Sequence, residues 1–326
     1  MANPLVAVTD HVFPDLEPAK QVLSELHAEV KLAEATTPEA ILKVARDADG
    51  LLVCYAKVPA AIIEQLTRCK IIARFGIGVD NVDINAATRA GILVTNVPDY
   101  CVDEVSDHAL ALLFSLVRKV PFANQRAQAG KWEMPAVVPI HRLRGRVLGL
   151  VGFGKIPQAL TTKAQAFGLQ VQTTDPYITE ETTAKFNVKL TSLPELLKTS
   201  DYVSIHAPLT PETNKMFNAD AFRQMKRGAF LVNSARGPLV DEAALIEALD
   251  SGQLAGAALD VLPQEPLASN SPLLGRENLI LTPHIAFYSE ESNVELQTKA
   301  AQQVALVLSG KEARYPINLK ALQAKK

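Results

Sequence analysis

The chain has 326 residues, 48% of them hydrophobic and 21% charged, with a formal net charge of -2. That composition suits about two soluble globular domains, and with no Lys/Arg run to follow a phosphate backbone, nucleic acid is not an expected partner. Cys54, Cys69 and Cys101 form neither a CxxC pair nor a metal-ligand spacing, so reduced thiols in a cytoplasmic compartment are expected and no metal is.

The N-terminal MANPLVAVTD enters a strand-like run directly, so neither a signal peptide nor a membrane span is expected. LVAV from Leu5, GLLVC from Gly50 and KIIARF from Lys70 predict strands. Between them PAKQVLSELH from Pro18, PEAILKVARDA from Pro38 and PAAIIEQL from Pro59 predict helices. Each opens on a proline, whose missing N–H a first helical turn does not need. This βαβ series implies a parallel sheet. A long helical pattern follows, DEVSDHALALLFSLVRKV, with Asp103 as its expected cap.

Next comes LGLVGFGKIPQA from Leu148, which reads as strand, glycine turn and helix N-terminus. Gly152 allows positive φ, Gly154 has no Cβ to keep the backbone from a pyrophosphate, and the helix dipole favours the phosphates. Asp175, about 20 residues beyond the turn, is placed to hydrogen-bond a ribose 2′-hydroxyl, and its charge favours NAD over NADP. Pro157 stands where a third glycine is usual, which reads as a variation in packing, since proline is tolerated in a first helical turn. The alternation continues through LQVQTTD, DYVSIHAPL, GAFLVNSARG, AGAALDV and NLILTPHI. SEESNVELQTKAAQQVALVLSG then predicts a second long helix, with Ser289 as cap and Gly310 as stop. If the two long helices mark crossings, residues 103–288 form a Rossmann NAD-binding domain inserted into a discontinuous, flavodoxin-like substrate domain of residues 1–102 and 289–326. The fold class expected is α/β, with two doubly wound parallel-sheet domains.

Ligands of open α/β sheets bind outside the carboxyl ends of the strands, which gathers Asp175, His206, Arg236, Asp260 and His284 on one edge. Taken singly, NSARG is a strand running into a glycine turn, Glu265 a solvated turn residue and His284 a buried histidine. Together, after a nucleotide-binding turn, they suit carbonyl chemistry. Arginine can hold a carboxylate and polarise a carbonyl, histidine can exchange a proton with an alkoxide, and Glu265 can fix the histidine tautomer. His206 reads as lining the cofactor edge rather than as an acid or base. His11, His27, His108 and His141 lack such company and receive no role.

The chain resembles the D-2-hydroxyacid dehydrogenases over most of its length. The residues carrying the resemblance are FGIGVDNVD from Phe75, VGFGKI, DPY at Asp175, HAPLTPET at His206, NSARGPLVDE at Asn233, ALDVLPQEP at Ala258 and TPHIAFYSEES at Thr282. It implies that Arg236 binds the substrate carboxylate and carbonyl, that Glu265 supports the histidine, and that His284 is the general acid/base. It further implies a carboxylate nest of Gly76, Ile77 and Gly78 amides, Lys155 and Ile156 at the pyrophosphate, Asp175 at the ribose and Asp260 at the nicotinamide carboxamide. Val97, Ala207, Ser234 and Ala235 match other cofactor-lining positions. A homodimer paired through the nucleotide domains, with a cleft that closes on its ligand, is also implied.

RFGIGVDNVD and AATRAGILVTNVP look like phosphoglycerate dehydrogenases, whereas IAFYSEES and PIHRLRGRVLGLVGFG look like bacterial relatives of the C-terminal-binding proteins. In the second case Phe287 walls the substrate pocket. Arg74 is either a contact for a substrate phosphate or a structural or cofactor-proximal charge, the second being the expectation. The resulting expectation is an NAD-dependent enzyme acting on a small 2-keto or 2-hydroxy acid. An NAD-sensing, corepressor-like binding protein is the alternative class, and 3-phosphoglycerate with phosphohydroxypyruvate the alternative substrates.

Overall fold

Both halves of the predicted alternation close into parallel sheets. The structure, a computed structural model, describes residues 3–324, which divide into residues 3–100 with 289–324, and Cys101–Tyr288.

The first unit has strands β1 (Leu5–Val8), β2 (Glu29–Leu32), β3 (Gly50–Val53), β4 (Ile71–Arg74) and β5 (Leu93–Thr95), all parallel. Their order, β2-β1-β3-β4-β5, is the flavodoxin-like one. Every residue of the interior strands β3 and β4 is buried, which is why, apart from Arg74 at the end of β4, they read as apolar runs. β2, with the sequence EVKL, is a mostly exposed edge, and it escaped prediction because an alternation of only Val30 and Leu32 is too short to declare a strand. Helix Glu290–Leu308 returns to this unit and is closed by the Ser289–Ser292 capping box. It packs so near β3 that a Cβ on Gly50 would lie 2.9 Å from a Val304 methyl.

The second unit has β6 (Val147–Val151), β7 (Gln170–Thr174), β8 (Lys189–Leu190), β9 (Tyr202–Ile205), β10 (Ala229–Asn233), β11 (Leu254–Leu259) and β12 (Leu279–Leu281). The order β12-β11-β10-β9-β6-β7-β8 reverses its winding at β6, as in a Rossmann sheet with one further strand. One face packs on a cluster containing Ile205, Leu231, Leu245 and Leu259. The other packs on Leu112, Leu113 and Leu116 of helix Val102–Val117, with Leu148, Leu150 and Leu160.

Two local expectations are corrected. Asp103 does not cap its helix. The cap position is Cys101, without a side-chain bond, and Asp103 instead pairs with Lys163 at 3.1 Å. Pro59 is itself the cap residue of the short helix Ala60–Ile63 rather than a first-turn residue. Among the described residues no helix is long and apolar enough to cross a membrane.

Candidate active site

The register of the second sheet sets one edge level. Val151 pairs with Thr174 and Ile205, Ile205 with Asn233, Asn233 with Leu259, and Leu259 with Leu281. The residues that follow these strand ends, Gly152, Asp175, His206, Ser234, Asp260 and Thr282, are therefore neighbours along the carboxyl edge.

At the switch point the glycine turn has two separate requirements. Gly152 takes φ +96°, and a Cβ there would come within 2.9 Å of the His206 carbonyl oxygen, so both conformation and space demand glycine. Gly154 is the cap residue of helix Lys155–Ala166, and a Cβ on it would meet nothing within 4 Å. Its lack of a side chain leaves open the approach to the helix N-terminus. The first intrahelical bond runs from Gln158 N–H to the Gly154 carbonyl at 3.1 Å. Pro157, one residue earlier, removes no helical bond and lies buried within the unit. Asp175 clamps the turn, accepting from Phe153 N–H at 2.9 Å and Tyr177 N–H at 2.8 Å.

These residues fit a dinucleotide. The turn opens onto a helix N-terminus, whose first N–H groups no intrahelical acceptor can take, and the buried Ser234 hydroxyl lacks a hydrogen-bond partner. His206 is within 2.9 Å of the Ser204 hydroxyl through Nε2, and burial pushes its imidazole down to about 4. It is neutral at physiological pH, which suits a cofactor-edge position and not acid–base work. Ala207 beside it is buried.

Three loops at this edge are tied to one another. Glu265 accepts from Leu262 N–H through Oε1 at 2.8 Å, and its Oε2 meets His284 Nδ1 at 2.7 Å. Burial acts to raise the Glu265 carboxyl, but the hydrogen bonds from His284 and Leu262 outweigh it and hold the group below the usual glutamate range. An ionised partner at Nδ1 makes that nitrogen the donor and leaves Nε2 to exchange a proton. Phe287 stands edge-on to the imidazole, with centroids 6.2 Å apart. Asn233 shapes the Arg236 loop by accepting from Ala235 N–H at 3.0 Å and donating to the Arg236 carbonyl at 2.9 Å. Gly237 presses that loop against the Glu265 loop, since a Cβ there would overlap the Leu262 carbonyl carbon at 1.9 Å. The Arg236 guanidinium donates to the Ala235 carbonyl at 2.7 Å.

Asp260 anchors the His284 loop. Oδ1 accepts from the Thr282 hydroxyl at 2.6 Å and Ile285 N–H at 3.0 Å, Oδ2 accepts from Ala286 N–H at 2.9 Å, and the Asp260 carbonyl accepts from His284 N–H at 2.8 Å. The side chain is 1% exposed, so its bonds to its own fold dominate and Oδ2 retains room for one further donor.

In the first unit, the turn after β4 is built around Gly76 at φ +139°, where a Cβ would overlap the Arg74 guanidinium. The turn is braced by Val97 N–H on the Gly76 carbonyl at 2.9 Å and by Asn96 on the Ile77 carbonyl at 2.7 Å. Arg74 is buried, and its Nε has no partner.

Residues 110–286, more than half of the chain, match the D-isomer specific 2-hydroxyacid dehydrogenase, NAD binding domain. The chain belongs to this dehydrogenase family. It is 38% identical to the D-3-phosphoglycerate dehydrogenase of Methanocaldococcus jannaschii over 316 residues, which are 96% of this chain and 59% of that protein, so it spans about three-fifths of that relative's length. A crystal structure of a Thermus thermophilus protein is 36% identical, covers 96% of this chain and 99% of its own, and superposes with a TM-score of 0.87. The NADPH-dependent glyoxylate/hydroxypyruvate reductase of Sinorhizobium meliloti, solved with NADP and malonate, is 31% identical with a TM-score of 0.86, each chain being covered to 97%.

The matched residues lie within the second unit, which is therefore the NAD-binding domain. It brings Glu265, His284 and the Arg236 loop into one set of contacts, while Gly76, Ile77, Gly78 and Val97 belong to the other unit. Asn233, Gly237, Thr282 and His108 were missed. His108 Nε2 lies 3.0 Å from the Thr282 hydroxyl. The signal that could have found it is a histidine in the stripe Val105, Leu112, Leu116, which is buried around it, because a polar ring on an apolar helix face needs a partner.

Proposed function

We propose that this chain is an NAD-dependent oxidoreductase that moves a hydride between the cofactor and C2 of a small D-2-hydroxy acid or 2-keto acid. The 2.7 Å Glu265–His284 pair carries the reading, because it couples a fixed-tautomer histidine to an ionised carboxylate on the edge of an NAD-binding sheet. The nicotinamide, when bound, supplies or accepts the hydride. Arg236 binds the substrate carboxylate and draws electron density from the carbonyl oxygen. In reduction His284 Nε2 hands a proton to that oxygen as it becomes an alkoxide, while Glu265 keeps Nδ1 protonated and steadies the ring's charge. In oxidation the same nitrogen takes the proton back.

Gly76, Ile77 and Gly78 are assigned to the substrate carboxylate through their amides, and Phe287 to the limit on side-chain size. Gly152, Gly154, Lys155 and Ile156 are assigned to the pyrophosphate, Asp175 to the adenosine ribose, and Asp260 to the carboxamide through its remaining Oδ2 position. Val97, His206, Ala207, Ser234 and Ala235 are assigned to the cofactor's surroundings. NAD is preferred because the Asp175 charge repels a 2′-phosphate.

One observation favours a substrate with a second anion, as in phosphohydroxypyruvate. Arg74 is buried behind the Gly76 turn with Nε unpartnered, and a buried polar group that lacks a hydrogen-bond partner is costly. The exposed apolar side chains Trp132 (91%), Met134 (72%) and Val138 (59%) are assigned to pairing with a second copy of the chain.

A panel of glyoxylate, pyruvate, hydroxypyruvate and phosphohydroxypyruvate with NADH tests the activity. Removing the acid/base or the carboxylate ligand, His284→Ala or Arg236→Ala, is expected to lower turnover about 10²–10⁴-fold with the fold intact. Arg74→Met should impair only the phosphorylated substrate. Wild type and both alanine variants turning over equally would refute the residue roles, and an inactive wild type would refute the reaction.

A further inference from the structure

We infer that His108 is a positioning residue for this reaction, acting through Thr282 and Asp260 on the loop that carries His284. The inference rests on the reading above and adds a residue 174 positions from Thr282 in sequence.

Hydrogen-bond direction fixes the relay. An ionised carboxylate only accepts, so the 2.6 Å contact between Thr282 and Asp260 Oδ1 uses the single hydroxyl proton of Thr282. The Thr282 oxygen is then left as an acceptor. The 3.0 Å contact from His108 Nε2 must therefore be an N–H donated to it. The same nitrogen stands 3.5 Å from Asp260 Oδ1. His108 thus holds the Thr282 hydroxyl turned toward Asp260 and adds positive potential beside a carboxylate that is 1% exposed.

Asp260 passes this orientation on. Both of its oxygens hold backbone amides immediately after His284, and its own carbonyl holds the His284 amide. His284 sits at φ +55°, a left-handed conformation uncommon for a non-glycine residue that persists where the surroundings impose it. The relay and the amide grip impose it here. His108 comes from helix Val102–Val117, whose neighbouring positions Val105, Ala109 and Leu112 are buried in the unit, so the relay starts from a fixed base. A histidine that merely glued this helix to the loop would be replaceable by any ring of similar size. A positioning donor would be replaceable only by another donor at the Nε2 position.

The test uses the full chain with His108→Phe, His108→Gln and Thr282→Val. NADH fluorescence titration gives cofactor affinity, hydroxypyruvate reduction gives kcat and KM, and a thermal melt reports folding. Losing one buried hydrogen bond in the relay should lower kcat about tenfold in His108→Phe and Thr282→Val and weaken NADH binding about threefold or more, with the KM for hydroxypyruvate little changed. His108→Gln, whose side-chain amide can donate from the same place, should recover most of kcat and of NADH affinity. Wild-type kcat and NADH affinity in His108→Phe and Thr282→Val would overturn the inference, as would His108→Gln being as impaired as His108→Phe. If Thr282→Val alone folds, it decides the matter in place of His108→Phe. A wild type inactive on every keto acid defeats the proposed reaction, whereas unchanged NADH affinity across the variants defeats the relay, so the two failures are distinct.

Discussion

Replacing Glu265 with glutamine isolates the charge behind His284. The carboxylate serves two donors, Leu262 N–H at 2.8 Å and His284 Nδ1–H at 2.7 Å, one on each oxygen. Glutamine keeps the shape and offers one oxygen, so whichever donor retains it, the other faces an NH₂ group. One charge-assisted bond, worth about 1.5–3 kcal/mol, is exchanged for a neutral one worth about 0.5–1.5 or for none. A net loss of about 1–2 kcal/mol corresponds to roughly 5–30-fold in rate. That loss should fall on kcat, since Glu265 orients the ring and keeps Nδ1 protonated while Nε2 hands its proton over, and the KM for the keto acid and NADH affinity should stay near wild type.

The pH dependence has a definite sign. The Glu265 carboxyl is held below its ordinary value of 4.5; burial opposes this, and the His284 and Leu262 hydrogen bonds more than compensate. Its contribution to folding is therefore present above that ordinary value and disappears as pH falls through the lowered folded value. Wild type should exceed Glu265→Gln in melting temperature by a constant margin from pH 6 to about 8, and the margin should close in acid. The margin is small, because the side chain is 33% exposed. Steady-state reduction of hydroxypyruvate across that pH range, with parallel melts, measures both quantities. Wild-type kcat in Glu265→Gln at neutral pH, or a loss confined to KM, would refute the role assigned to the pair.

The cofactor and assembly readings are tested separately. Asp175→Ala removes the carboxylate that clamps Phe153 and Tyr177 and the charge facing a 2′-phosphate. The NADH-to-NADPH ratio of kcat/KM should fall by about tenfold, one charge-assisted contact, and an unchanged ratio would show that the ribose contact is misplaced. For assembly, sedimentation velocity should give twice the 35.2 kDa chain mass for wild type, and Trp132→Asp with Met134→Asp should shift it to monomer. A monomeric wild type would refute pairing through that segment.

How far the sequence could be read follows from what fixes each residue's position. Strands buried on both faces declare themselves as apolar runs, so β3, β4, β6 and β9 were legible, whereas the exposed edge β2 and the two-residue β8 have no core to match. The same logic governs the site. A polar residue immediately past an apolar strand is placed by the strand itself, so Gly152, Asp175, His206 and Asp260 could be set on one edge before any coordinates. Arg236 and Glu265 lie further along loops whose paths depend on Gly237 fitting against Leu262; Arg236 could still be set near its strand end, whereas Glu265 was marked only by its chemistry in company with Arg236 and His284. His108 depends on neither rule. Its place is set by which face helix Val102–Val117 turns to the sheet and by which strand end that face meets, a packing relation between residues 174 positions apart. The residues proposed to touch substrate are thus legible from local register and chemistry, while those proposed to orient them are fixed by packing between elements. A functional reading built from strand ends alone will consequently find the proposed acid/base and miss the residues that hold its loop.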